Sequence, residues 1–351
     1  MKKTIIVTGA TSGIGYAVCE AMLNEGYPVI GVGRSEDNCC EAKKALLCKY
    51  PEATVSFIAA DLMHQREVIR AAREIEGFLG LAGSGINYGE RKNIGTQDID
   101  DASCDGVRSI DISGVPHCGG IHALINNAGC VRSRFMTTED GYEQQFALNN
   151  LSGFLLTQEL TPLLCRDNAA VIFTSSASHK MMRMNWSDLM FEKKYKPLRA
   201  YKQSKLCNLL VAYRLRELGI RAVGVDPGLV RTNIGNKNTS GIVDTVWNLR
   251  KRSGISPSES AKIFSELCEN GFSGIYYGLG RGSKDKREIR EKCTSSRVNR
   301  DNARRLYDIC SELCGMKAPK PKGEVEHECI DNRRKRRPWQ SNGYGLRKAW
   351  V

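Results

Sequence analysis

The sequence predicts a doubly wound α/β fold, a mostly parallel sheet of about seven strands with helices on both faces in three layers. Two observations carry that prediction. Short β-rich runs alternate with longer helical stretches from the N-terminus onward, the pattern of βαβ units and therefore of parallel strands. The first such run passes directly into a glycine-rich turn that opens a helix. A chain of 351 residues with 41% hydrophobic content can also bury a sizeable core.

Taken in order, residues 5–8 read as the first strand. A helix over 13–25 follows, closed by Gly26 as its C-terminal cap. Residues 29–32 form a second strand, 35–50 a helix stopped by Pro51, and 55–60 a third strand ending at Asp61. After a helix over 65–78 the regularity fails. Residues 80–119 are rich in Gly, Asp, Ser and Asn without a sustained period, and read as an inserted loop or disordered segment. Order resumes with a strand at 123–126, a long helix at 139–164, and a strand at 171–175. A helix at 198–218 ends at Gly219, and a sixth strand at 222–225 precedes Asp226-Pro227-Gly228. Ser256-Pro257-Ser258-Glu259 places Ser, Pro and Glu where a helix start wants them. A seventh strand at 274–277 and an amphipathic helix at 301–314 complete a single domain, 1–315; nothing periodic follows in the basic tail, 316–351.

The net charge of +13 invites a nucleic-acid reading. Its distribution argues otherwise, because residues 281–300 supply +5 and residues 316–351 supply +6, leaving a body near neutrality. Arg333-Arg334-Lys335-Arg336-Arg337 could hold nucleic acid or anionic membrane. Basic, aperiodic tails of this kind are more often solvated, and neither partner is expected. No apolar run is long enough for a membrane span and no signal peptide is evident. The fourteen cysteines are scattered without a Cys-x-x-Cys pair, so buried thiols in a reducing, cytoplasmic setting are expected and no metal site is.

The turn after the first strand is Thr8-Gly9-Ala10-Thr11-Ser12-Gly13-Ile14-Gly15. Glycines there let the backbone approach a pyrophosphate, whose charge meets free N–H groups at the helix N-terminus. Strand two ends at Gly33-Arg34-Ser35. An acid at that point would bind the ribose 2′-hydroxyl of NAD, whereas Arg34 suits the 2′-phosphate of NADP; NADP(H) is favoured over NAD(H), with a solvated arginine as the alternative.

Tyr201 and Lys205 lie one helical turn apart and share a face. A free tyrosine is too weak a base at neutral pH, and an adjacent ammonium stabilises its phenolate. With these in view, the chain closely resembles the short-chain dehydrogenase/reductase family of Rossmann-type proteins. The likeness rests on Thr8 to Gly15, Asp61-Leu62, Asn126-Asn127-Ala128-Gly129, Phe146-Ala147-Leu148-Asn149, Thr174-Ser175-Ser176, Tyr201 to Lys205 and Asp226-Pro227-Gly228, in the family's order. Within the family it looks most like the retinol dehydrogenase and protochlorophyllide reductase group, from Phe154-Leu155-Leu156-Thr157 and Ser204-Lys205-Leu206-Cys207-Asn208.

That resemblance implies a hydride transfer between nicotinamide and a carbonyl or alcohol. Tyr201 would be the proton donor in reduction and the base in oxidation, and Ser176 would bond the substrate oxygen. Lys205 would bind the nicotinamide ribose and tune Tyr201, and Asn149 would hold a relay water. Gly9, Ser12, Gly13, Ile14, Gly15, Ala128, Gly129, Pro227 and Gly228 would line the cofactor, with Asp61 on the adenine amino group, Leu62 beside it and Asn127 on the adenosine ribose. Alternatives stay open: Asn149 could merely join helix to strand, and Ser175 rather than Ser176 could face the substrate. Ser152-Gly153 departs from the group's usual Gly-His, and residues 80–119 have no family counterpart.

Substrate contacts should come from loops 178–199 and 229–255. Met181, Met182, Met184, Trp186, Met190 and Phe191 in the first, with Ile234, Ile242, Val246, Trp247 and Leu249 in the second, point to a lipophilic substrate unless they pack against the body. Homodimers or homotetramers are common in the family. The competing reading is a non-catalytic NADP(H)-binding sensor or scaffold.

Overall fold

The computed structural model describes residues 2–80, 119–231, 254–281 and 287–316. The insertion and the basic tail lie outside the described residues apart from their first or last positions, as does most of the loop 229–255. Among the described residues eight strands form one sheet in the order β3-β2-β1-β4-β5-β6-β7-β8. They are β1 (Thr4–Thr8), β2 (Val29–Gly33), β3 (Val55–Ala59), β4 (Ile121–Asn126), β5 (Ala170–Thr174), β6 (Ala222–Asp226), β7 (Tyr276–Arg281) and β8 (Arg287–Glu291). The first seven are parallel, and only β8 runs antiparallel, against β7. The chain order reverses between β1 and β4, which opens a crevice at the strands' C-terminal ends.

The helices are α1 (Gly13–Asn24), α2 (Glu36–Lys49), α3 (Gln65–Phe78), α4 in three consecutive pieces described below, α5 (Thr161–Asp167), α6 (Pro197–Glu217), α7 (Pro257–Asn270) and α8 (Arg300–Leu313). Successive strand residues point to opposite faces, and the core divides accordingly. Ile5 and Val7 of β1, Ile125 of β4 and Val223 of β6 join α1 and α7 on one face. Ile6, Leu124 and Ala222 join α3, α4, α6 and α8 on the other. Phe154, Phe173, Phe264 and Tyr276 are fully buried, each worth about 1.5–3 kcal/mol in removed apolar surface.

The expected sheet of about seven strands has eight among the described residues; the one the sequence did not show is β8, Arg-Glu-Ile-Arg-Glu, whose apolar content is too low to register as a strand, an edge strand paired on one side only. Two predicted boundaries are corrected. The expected helix over 139–164 starts later and is interrupted. Residues before Gln144 fold into a turn closed by a bridge between Thr137 and Glu143, and Glu143 caps the helix by accepting from the Phe146 amide at 2.8 Å. That helix, α4, runs as Gln144–Phe146, a π-turn at Ala147–Leu151 and a further α-segment at Ser152–Glu159, before Pro162 restarts the chain as α5. The seventh strand begins two residues later than predicted, at Tyr276. The start of α7 is as predicted: the Ser256 hydroxyl accepts from the Glu259 amide at 3.1 Å.

Among the described residues no helix is long and apolar enough to cross a membrane, and no group of three or more His, Cys, Asp or Glu is placed to hold a metal ion.

Candidate active site

At the mouth of the crevice, Thr8 ends β1 with its hydroxyl accepting from the amides of Asn127 at 2.9 Å and Ala128 at 3.0 Å. The Asn127 side chain donates back to the Thr8 carbonyl at 3.1 Å and accepts from the Thr174 hydroxyl at 3.3 Å. It thereby ties β1, β4 and β5 together where the cofactor turn begins. Gly9 and Gly13 have φ of +66° and +60°, a region L side chains rarely adopt. A Cβ on Gly15 would lie 2.2 Å from the Gly9 carbonyl oxygen, so no side chain fits there. Ser12, at the N-cap of α1, makes no capping bond with its side chain. The first amides of α1, Ile14 among them, therefore keep their capacity to meet an anion. These are the features a pyrophosphate needs.

Around this turn, Arg34 stands exposed just past β2. Asp61 accepts from the Met63 amide at 3.1 Å and Leu62 is buried beside it. Gly228 has φ +80° and its amide donates to Asp226 at 3.1 Å, while the carbonyl of buried Pro227 accepts from Ser260 at 3.0 Å. Asp226 is also paired with Lys292 at 3.0 Å, which fastens the β7–β8 hairpin to the end of β6.

The residues predicted to be catalytic lie where β4 and β5 meet α6. Lys205 is buried and its Nζ donates to the Thr174 carbonyl at 2.9 Å. The same ammonium sits 5.7 Å from the centre of the half-buried Tyr201 ring. Burial lowers Lys205 to about 8, because desolvation penalises an ammonium. Asn208 donates to that same Thr174 carbonyl at 3.0 Å and so shares the anchor.

The two serines that follow β5 separate cleanly. Ser175 is buried and its hydroxyl donates to the Lys205 carbonyl at 2.8 Å, pinning strand to helix. Ser176 is partly exposed and begins a 3₁₀ turn, Ala177–Met181. Asn149 lies in the π-turn of α4, a local widening that recurs at functional sites. Its side-chain Oδ1 accepts from the Cys130 amide at 2.7 Å, and its side-chain Nδ2 donates to the Cys130 carbonyl and the Ser204 hydroxyl, both at 3.0 Å. Ser204 in turn donates to the Tyr201 carbonyl at 2.8 Å. Asn149 thus locks the loop after β4 onto the helix that carries Tyr201 and Lys205. A Cβ on Gly129 would lie 3.2 Å from Asn149 and 3.7 Å from the Lys205 Nζ, so glycine keeps that floor open.

Residues 3–115 match the short chain dehydrogenase family, and residues 112–276 match a family described as enoyl-(acyl carrier protein) reductase. Retinol dehydrogenase 14 of Homo sapiens is 30% identical over 325 residues, covering 90% of this chain and 87% of that protein. The chain belongs to the short-chain dehydrogenase/reductase family. It falls in the retinol dehydrogenase group, and its chemistry is that of a hydride-transferring oxidoreductase. The fold agrees with two solved members of this structural class. An NADPH-bound carbonyl reductase from chicken fatty liver superposes with a TM-score of 0.51 at 20% identity, covering 79% of this chain and 96% of that one. A short-chain dehydrogenase/reductase from Burkholderia phymatum in complex with NAD gives 0.54 at 17% identity, covering 78% and 87%.

The sequence reading missed several residues that hold this short-chain dehydrogenase site together. Thr8 and Thr174 lay inside motifs already noted, as did Ser204 and Asn208, but their roles as anchors depend on which atoms the fold brings opposite them. The apolar loop is partly reassigned. Met182, Met190 and Phe191 belong to the core, and Met184 and Trp186 pack against it. Met181 is 64% exposed, and among the described residues Leu229 and Phe135 are the other exposed large apolar side chains, each on a segment that follows a strand's C-terminal end. The second loop's Ile234, Ile242, Val246, Trp247 and Leu249 lie outside the described residues.

Proposed function

We propose that this protein is an NADP(H)-dependent reductase or dehydrogenase acting on the carbonyl or alcohol of a lipophilic substrate. The observation that carries the proposal is the buried Lys205 ammonium held 5.7 Å from the Tyr201 ring and bonded to the Thr174 carbonyl at the C-terminal end of a parallel strand, two residues before Ser176. A nicotinamide cofactor, when bound along the glycine turn, supplies or accepts the hydride.

Each residue then has a task. Tyr201 gives its phenolic proton to the carbonyl oxygen in reduction and takes a proton from the alcohol in oxidation. Lys205, still mostly charged at pH 7, stabilises the phenolate that results. Ser176 donates a hydrogen bond to the oxygen on which negative charge develops. The side chain of Asn149 is engaged with Cys130 and Ser204, so its own work is to hold the helix in register; a relay water would have to use its main-chain carbonyl. Gly9, Ser12, Gly13, Ile14 and Gly15 receive the pyrophosphate, and Arg34, exposed beside Ser35 with no acid until Glu36, supports a 2′-phosphate.

Exposed Met181, Leu229 and Phe135 support an apolar substrate, in keeping with the retinol named for its relative. The deciding experiment is NADPH oxidation across aldehydes, ketones and quinones, with all-trans-retinal among them, using wild type beside Tyr201→Phe. Turnover by wild type and its loss in a variant that still binds NADPH is the expected result. Equal turnover in both overturns the assigned proton donor.

A further inference from the structure

The structure assigns Ser178 as a positioning residue that aims the Ser176 hydroxyl hydrogen at the substrate. The inference rests on the oxidoreductase reading above and deepens it. A serine hydroxyl has one hydrogen and two acceptor lone pairs. The Ser178 amide donates to the Ser176 Oγ at 3.2 Å, and the Ser178 hydroxyl lies 3.0 Å from the same atom, where it also donates. Both acceptor positions of Ser176 are then filled from one residue, and its single hydrogen is left to point outward.

The direction of that hydrogen matters chemically. If the Ser178 hydroxyl were absent, Ser176 could turn and spend its hydrogen on another acceptor, and the oxygen developing charge would lose its donor for part of the time. With two donors fixed behind it, the Ser176 hydroxyl is also polarised, which strengthens the bond it makes in front.

The turn that carries Ser178 is built to hold it still. The Ser176 carbonyl accepts twice, from the His179 amide at 3.1 Å and from His179 Nδ1 at 2.7 Å. Since a carbonyl can only accept, Nδ1 carries the hydrogen, which fixes the neutral tautomer. Burial lowers the His179 pKa and keeps the ring uncharged. The ring is wholly buried and meets the fully buried Tyr276 edge to face, with centroids 5.0 Å apart at 84°. Ser178 itself is 8% exposed, so it is largely withdrawn from bulk water.

The test is a double-mutant cycle on Ser176→Ala and Ser178→Ala, measured as NADPH-dependent reduction of all-trans-retinal and decanal. Ser178→Ala keeps the amide donor and removes the hydroxyl. Its kcat should fall about five- to tenfold, the effect of one neutral hydrogen bond, with KM and NADPH affinity unchanged. Ser178→Thr, which restores a hydroxyl, should return most of the rate. Adding Ser178→Ala to Ser176→Ala should cost nothing further, because Ser178 acts only through Ser176. Additive losses in the double variant, or a Ser178→Ala rate within twofold of wild type, overturn the assignment. Ser176→Ala at the wild-type rate instead overturns the role given to Ser176, and that of Ser178 with it, whereas wild type that reduces neither aldehyde overturns the proposed action on lipophilic carbonyls.

Discussion

Replacing Lys205 by Met keeps the length of the side chain and removes its charge. The ammonium lies 5.7 Å from the Tyr201 ring centre. At an effective dielectric of about 20, a unit charge at that distance stabilises a phenolate by ~3 kcal/mol, or about 2 pKa units. On the proposed assignment Tyr201 acts as the base in alcohol oxidation, so log kcat/KM should rise with pH along a limb set by the phenol. Lys205→Met should move that limb upward by about 2 units and lower kcat/KM at pH 7 about 100-fold. The assay is NADP⁺ reduction with retinol from pH 6 to 10, at cofactor concentrations saturating for each protein so that lost ribose contacts do not mask the shift. A limb that stays in place, or a loss at pH 7 under threefold, would refute the claim that Lys205 works on Tyr201 by charge.

Two further outcomes follow from the same geometry. Because burial lowers Lys205 from 10.5 to about 8, the unfolded chain binds this proton more tightly than the folded one between those values, so this group makes stability rise with pH there. The buried thiols Cys19 and Cys207 and the phenol of Tyr276 are raised by burial and pull the opposite way; the difference in denaturant unfolding between wild type and Lys205→Met isolates the lysine, and should shrink by on the order of 3 kcal/mol in the variant's favour at pH 7 relative to pH 10.5. Arg34→Leu should weaken NADPH about 10- to 100-fold, the loss of charge-assisted bonds to phosphate, and leave NADH within twofold; equal effects on both cofactors in a binding titration would show that Arg34 does not read the 2′-phosphate.

Much of the fold was legible because its signals are local. The turn from Thr8 to Gly15 needs glycine where φ is positive or where backbone comes within contact distance, and such requirements show in any reading of the chain. Strands β1 to β6 are short apolar runs between turn residues, and α7 announces its start through Ser256 and Glu259. Features that depend on a distant partner were not legible. β8 carries one apolar residue, Ile289, and is a strand only because β7 offers it an edge. The break in α4 comes from Glu143, which prefers to cap a later start, and from the π-turn that Asn149 needs to reach Cys130.

The chain by itself determined which chemical groups are present and in what order: a phenol and an ammonium one helical turn apart, a serine pair just after a strand, a glycine turn after another, and an arginine just past a third. Those are properties of spacing, and spacing survives in one dimension. Only the tertiary structure decided how the groups are spent. It gave the Ser175 hydroxyl to the Lys205 carbonyl and left Ser176 at the surface of the crevice, turned the Asn149 side chain inward to brace Cys130 and Ser204, and sank Met182, Met190 and Phe191 into the core while Met181 stayed out. The reason is physical: hydrogen bonds and burial belong to pairs of atoms that folding brings together, and neighbours along a chain do not say which distant atoms those will be.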